Sequence, residues 1–233
     1  MSQVFKLFRL QQIDSQLDHF RSRLDQIQLT LTDKTSLQYA TSEAESAEKT
    51  LKEAQKALHR AEGEVQSHRL KLELTESTLY GGKVRNPKEL QDLQNESAAI
   101  KRYLVVLEDR QLEAMLLVEE TEAEYKKYQH NLQRVQDEVK TLHIELNAEK
   151  DELVKEVGTL DKERNLAVIA IGSADLQLYD HLRQQRRGVA VAKVSDDACT
   201  ACGSTLTPAL VQAAHSPSQI VRCTFCSRIL YAV

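Results

Sequence analysis

Tryptophan is absent from this 233-residue sequence, aromatic residues make up only 5% of it, and prolines (three) and glycines (seven) are scarce. Such poverty in bulky rings and turn formers argues against a thick globular core. No stretch approaches ~18 consecutive apolar residues, so no membrane insertion is expected. The start, "MSQVFKLFRLQQIDSQL", has no apolar signal-peptide region, and the expectation is a cytoplasmic protein. Thiols stay reduced in that compartment, so the four cysteines need an explanation other than a disulfide framework. A dominant charge is lacking as well. The net charge of −4 divides into about +2 from Leu160 onward (8 basic against 6 acidic residues) and so about −6 before it. Neither part has the strong basic excess that by itself implies nucleic acid.

What is there instead is leucine, glutamine, glutamate, lysine and alanine, the makeup of long helices. Leu10, Ile13, Leu17, Phe20, Leu24, Ile27 and Leu31 recur at steps of three and four, the seam of a coiled coil. A second series from Leu37 through Ala40, Ala44, Leu51, Leu58 and Val65 to Leu79 runs one residue out of phase with the first. The seam must shift across "TLTDKTS", whose Thr, Ser and Asp side chains compete for backbone hydrogen bonds. A third series runs from Leu90 through Ile100, Leu104, Leu107, Tyr125, Tyr128 and Leu146 to Leu160, with polar Ser97, Gln111, Thr121, Glu149 and Glu156 at its remaining seam positions.

Between the second and third series lies "STLYGGKVRNPKELQDL". Glycine costs roughly 1 kcal/mol and proline roughly 3 kcal/mol inside a helix, so no single helix should run through Gly81, Gly82 and Pro87. The glycines suit a tight turn, Asn86 before Pro87 is pushed out of the α region, and Pro87 suits the first turn of a new helix. The stretch predicts the tip of an antiparallel helical hairpin, with arms of about 70 residues or roughly 105 Å. Leu79 facing Leu90 would set Ala40 to Ala47 against Tyr125 and Tyr128, small against large. The tip carries Lys83, Arg85 and Lys88. Lys88 opens a helix, where a cation is unfavourable to the dipole, and this favours a partner-facing role for Lys83, Arg85, Asn86 and Lys88 over simple solvation of a turn.

Past Leu160 the heptads fade. Ser173 to about Arg187 reads as a helix capped by Gly188, and "VAVAKV" (189–194) as a strand. Cys199-Thr-Ala-Cys202 and Cys223-Thr-Phe-Cys226 then form C-x2-C-x20-C-x2-C. Two such knuckles close a tetrahedral four-sulfur site for one structural Zn2+, with ~2.3 Å bonds and no position left for water. A disulfide pair is disfavoured by compartment, and an iron–sulfur centre by the lack of any companion redox motif. Gly203 permits the positive φ that turns the first knuckle; Ser227 stands at the equivalent place in the second. "VAVAKV", "IVRC" and "RILYAV" would supply a zinc ribbon's short strands.

The predicted fold is therefore mainly α: a long antiparallel coiled-coil hairpin over residues 1–160 with its tip at about 80–88, then a helix and a small four-cysteine zinc-ribbon domain over 161–233. No catalytic set accompanies it. His59, His68, His130 and His143 lie on the arms, and His19, His181 and His215 are equally isolated, none beside a nucleophile. The glutamates are solvated coil faces, and no glycine-rich phosphate loop precedes a Lys-Ser/Thr pair. Neither an enzyme nor a small-molecule substrate is expected.

The sequence resembles the bacterial C4-type zinc ribbon proteins with a long N-terminal helical hairpin. The resemblance is carried by "LYGGKVRNPKELQDLQNE", "LED" at 107–109, "LYDHLR" at 178–183, the four cysteines and the ending "CTFCSRILY". Where such proteins have Cys-Gly-Arg-Ile-Leu-Tyr, this one has Ser227 in place of the glycine. The resemblance implies a non-enzymatic protein of a kind described as nucleic-acid-binding, or as a hub engaging an alternative sigma factor and flagellar or type III secretion components.

Two functions compete. A scaffold would offer protein partners the coil, the basic tip and the ribbon, in transcription or in secretion and motility assembly. A nucleic-acid-binding ribbon would instead set Arg183, Arg186, Arg187, Lys193, Arg222 and Arg228 on phosphates, with Phe225 or Tyr231 available to stack. The weakly basic tail favours protein partners. A factor entering the secondary channel of RNA polymerase would need an acidic tip, and a DNA-repair zinc hook would need cysteines at the apex; this tip is basic and has none.

Overall fold

The computed structural model describes residues 2–216 and 219–232. The expected domain spans begin at Met1 and end at Val233, and the second includes Pro217 and Ser218; these four positions lie outside the described residues. In chain order the elements are α1 (Gln3–Thr32), α2 (Thr35–Tyr80), α3 (Pro87–Ile169), α4 (Ser173–Gln185), β1 (Val191–Ser195), β2 (Ala198–Cys199), α5 (Pro208–Ala214) and β3 (Ile229–Tyr231). No helix among the described residues is long and apolar enough to cross a membrane. The chain forms two compact units, one of Asp33–Leu142 and one of Met1–Thr32 with His143–Val233.

The Asp33–Leu142 unit is the antiparallel hairpin of α2 with the first part of α3. Ion pairs from Arg69 to Glu108 (2.6 Å), Lys71 to Glu96 (3.0 Å) and Lys101 to Glu76 (2.6 Å) pair the arms in opposite directions. Beneath them Val65, Ile100, Leu104 and Leu107 form a narrow buried seam. Ser97 and Thr121, at polar seam positions of α3, are also buried, and Thr121 Oγ1 donates to Leu117 O at 2.8 Å. Ala40 and Ala44 of α2 are buried.

The expected discontinuity is a two-residue break at 33–34, between α1 and α2. On its near side Thr30 and Thr32 donate their hydroxyls back to Gln26 O and Gln28 O at 3.0 Å, and on its far side Asp33 Oδ1 accepts from Thr35 N at 2.9 Å. Side chains thus bond locally to backbone where the helix gives way.

In the other unit, α1 lies against the end of α3 and against α4. Ile13, Leu17 and Leu160 form one cluster, with Phe20 and Val157 packed on it. Nearer the start of α1, Val4, Leu7 and Leu10 share a core with Ile171, Tyr179, Leu182, Val191 and Ile229. The small sheet has the order β2-β1-β3, with β1 antiparallel to β2 and parallel to β3. The strand starts two residues later than expected. Gly188 N donates to Arg183 O (2.9 Å) and Val189 N to Arg186 O (3.2 Å), which holds 186–189 in a turn, and α4 stops at Gln185 where Arg187 and Gly188 take positive φ.

Candidate metal centre

The two knuckles repeat one backbone pattern. In the first, Cys199 N donates to Ser204 O (3.0 Å) and Gly203 N to Cys199 O (2.8 Å). In the second, Cys223 N donates to Arg228 O (2.8 Å) and Ser227 N to Cys223 O (2.9 Å). Each turn closes on a left-handed residue, Gly203 at φ 72° and Ser227 at φ 62°. Glycine takes that conformation freely, whereas the serine Cβ crowds a carbonyl at a cost of roughly 1 kcal/mol.

This symmetry aims four thiols at one point. Cys199 Sγ is 3.8 Å from Cys226 Sγ, Cys202 Sγ is 3.8 Å from Cys223 Sγ, and all four sulfurs lie within 4.8 Å of one another. Sulfurs at the corners of a tetrahedron with ~2.3 Å bonds to a central ion stand about 3.8 Å apart, whereas a disulfide would need ~2.05 Å. The four cysteines are positioned to coordinate a single Zn2+. Burial pushes the Cys199 thiol up to about 12, while hydrogen bonds from the Ser204 hydroxyl and backbone pull Cys202 down to about 6. A bound cation supplies the charge that lets all four be thiolates and links the knuckles; with four protein sulfurs around it no site remains for a reacting water. The thiols are rooted in the ribbon's own core of Ala192, Leu206, Ala214 and Leu230.

A buried polar hub, which sequence reasoning missed, ties this module to α1. Asp14, 1% exposed, accepts from Arg164 Nε at Oδ1 (2.6 Å) and from the Tyr179 hydroxyl at Oδ2 (2.8 Å), while Arg183 reaches both the Asp14 carbonyl (3.2 Å) and Asp18. Burial first, then the Asp14 carboxylate, raises the Tyr179 phenol far above its ordinary range. One turn earlier, Gln11 Oε1 accepts from Ala190 N (2.7 Å) and Val191 N (2.6 Å), and its Nε2 donates to Val191 O (2.7 Å). The signal was present in "LYDHLR", which supplies Tyr179 and Arg183.

Of the six basic residues considered for phosphate contact, Arg183 is engaged by Asp14 and Asp18, and Arg228 donates to Val189 O (2.8 Å) and Arg186 O (3.2 Å). Arg186 is half-buried; Arg187, Lys193 and Arg222 are exposed. Lys193 Nζ stands 5.0 Å over the Phe8 ring. Tyr231 stacks on Phe8 with centroids 4.7 Å apart and so belongs to the core, while Phe225 is 69% exposed.

At the tip, Gly81 leaves no room for a side chain, since a Cβ there would lie 2.5 Å from Ser77 O, and Gly82 has φ +70°. Asn86 caps α3: its Oδ1 accepts from Lys88 N and its carbonyl from Leu90 N, both at 3.0 Å. Lys83, Arg85, Asn86 and Lys88 are all exposed.

The model of the CT398-like coiled coil hairpin domain matches residues 10–187, and that of the C4-type zinc ribbon domain matches residues 198–230. Among solved structures, CT398 from Chlamydia trachomatis is similar with a TM-score of 0.76 at 17% identity, covering 99% of this chain and 98% of that one. A protein from Mycobacterium smegmatis is similar with a TM-score of 0.67 at 21% identity, covering 99% of each chain. HP0958 from Helicobacter pylori is similar with a TM-score of 0.51 at 14% identity, covering 99% of this chain and 97% of that one. No functionally curated protein matches the sequence.

Proposed function

We propose that this chain, which belongs to the CT398-like coiled coil hairpin family and carries a C4-type zinc ribbon after the hairpin, is a non-enzymatic cytoplasmic scaffold. Its zinc is structural, and it docks protein partners through the coil and through the tip residues Lys83, Arg85, Asn86 and Lys88. One observation carries the reading: Lys83, Arg85 and Lys88 are exposed at the apex, and among the described residues none of them forms an ion pair. Unpaired cations on a protruding turn select and steer an acidic surface. Transcription, or the assembly of secretion and motility machinery, is where such a scaffold would act. The test is affinity capture with Lys83→Glu combined with Arg85→Glu against wild type. Partners should be lost without loss of helicity; if ribbon variants lose them and the tip variant keeps them, the tip is only a turn.

Nucleic-acid binding by the ribbon is the second reading, favoured by the 69% exposure of Phe225 beside exposed Arg222. Base stacking on Phe225 with phosphates on Arg187, Lys193 and Arg222 would give salt-dependent binding to single strands. It ranks second because Arg183 and Arg228 already have partners within the chain.

A further inference from the structure

Helix α3 carries two heptad stripes in the Asp33–Leu142 unit, and the hairpin uses one of them. The inner stripe, with Ile100, Leu104 and Leu107, is buried against α2. The outer stripe is Ala98, Val105, Leu112, Leu116 and Ala123, at steps of seven, seven, four and seven. At ~100° per residue it lies about 140° around the helix from the inner stripe. Val105 and Leu112 are each 57% exposed, Leu116 is 65% exposed, and both alanines are exposed. Scattered exposed apolar residues need no explanation, but a row at coiled-coil spacing is the pattern of a seam.

Charge on the same stripe selects what covers it. Arg102 and Asp109 fill two of its heptad positions and Glu119 another; among the described residues Arg102 and Glu119 have no ion-pair partner in the chain. A second copy laid parallel and in register would set Arg102 on Arg102, Asp109 on Asp109 and Glu119 on Glu119, three repulsions. Laid antiparallel with Val105 against the second copy's Leu116, it sets Ala98 against Ala123 and Arg102 against Glu119, each contact made twice by the two-fold axis. The stripe is therefore self-complementary in size and in charge. The geometry points to a second copy of this chain as its partner, in an isologous antiparallel dimer through the outer face of α3 between Ala98 and Ala123. Asp109, opposite the second copy's Leu112, fixes the register at a cost in affinity, so the dimer forms with rising concentration.

The test uses the full zinc-loaded chain in sedimentation equilibrium over a concentration series. Wild type should pass from monomer to dimer. Leu112→Glu with Leu116→Glu should stay monomeric with unchanged helical circular dichroism, since both sites are exposed. Arg102→Glu should raise the dimer Kd about tenfold, and adding Glu119→Arg should restore it, which separates pairing from any loss of folding. Chains bearing Val105→Cys should cross-link to chains bearing Leu116→Cys and not to one another. A wild type that stays monomeric throughout, a dimer that survives the double glutamate substitution, failure of the charge swap to restore it, or cross-linking of Val105→Cys to itself would overturn the dimer.

Discussion

The hydroxyl of Tyr179 donates a 2.8 Å hydrogen bond to Oδ2 of Asp14, across 165 residues of sequence. With Arg164 on the other carboxylate oxygen, this joins α1, α3 and α4 through one fully buried charge. A lone buried carboxylate would be prohibitive; paired and hydrogen-bonded, it defines which faces of the three helices meet.

Asp14→Ala would leave Arg164 and the Tyr179 hydroxyl without their acceptor, and should destabilise the zinc-loaded protein by about 2–4 kcal/mol in denaturant unfolding. Tyr179→Phe, which removes one hydrogen bond and keeps the ring, should cost about 1–2 kcal/mol. If the two substitutions prove equally mild, the hub contributes orientation and little stability.

The zinc site should be closed and stoichiometric, with one ion per chain. Cys223→Ser should abolish the metal while most helical circular dichroism persists, because the hairpin buries its own seam. Elemental analysis finding the ion retained in that variant would refute the four-sulfur site.

Ser227→Gly should make the second knuckle as comfortable as the first. Relief of the φ 62° conformation is worth roughly 1 kcal/mol, to be read as slower zinc loss to a chelator. Faster loss would show that the Ser227 side chain contributes something that its backbone angle does not reveal.

At the apex, capping and charge separate. Asn86→Ala should cost about 1 kcal/mol through the lost cap on α3, whereas Lys83→Glu with Arg85→Glu should shift stability by less than ~0.5 kcal/mol. Thermal melts of the three proteins decide it; a large destabilisation by the charge reversals would mean that those side chains build the turn.

Acid should loosen the coil. Hydrogen bonding and charge from Lys101 hold Glu76 below the ordinary carboxylate value of 4.5, and Arg23 does the same for Glu149. A carboxylate lowered in the folded state contributes stability above its unfolded value and loses it as pH falls through the folded one. Melting temperature should therefore drop below about pH 4.5, and less steeply in high salt because both pairs remain accessible to solvent. A melt insensitive to pH down to 3 would mean the pairs contribute nothing.

The hairpin was legible because a heptad seam is a local repeat and because Gly81, Gly82, Asn86 and Pro87 each act on the backbone at their own position. The zinc site was legible for a similar reason: each thiol pair is fixed by its own four-residue turn. Gln11 and Asp14 were not, because their partners lie about 150 to 180 residues away and nothing in their spacing on α1 announces a buried acceptor. The start of β1 differs for a local reason: Val189 N bonds back to Arg186 O, so the chain is still turning where "VAVAKV" reads as strand. The parallel pairing of β1 with β3 was equally invisible, since three residues of Ile229–Tyr231 carry no mark of the direction in which they will lie.

The engagement of Gln11 with Val191, and of Leu7 and Leu10 with Ile229, also has a consequence during translation. A helix that leaves the ribosome early keeps its apolar face and its amide side chain waiting until strands made some 180 residues later emerge to receive them. The hairpin has no such delay, since its two arms are neighbours across the tip and zip from there as they appear. From the emergence of Leu142 until the ribbon is made, the nascent chain should therefore hold a finished hairpin and an unsheltered first helix, and that helix, rather than the ribbon, is where a chaperone would find it.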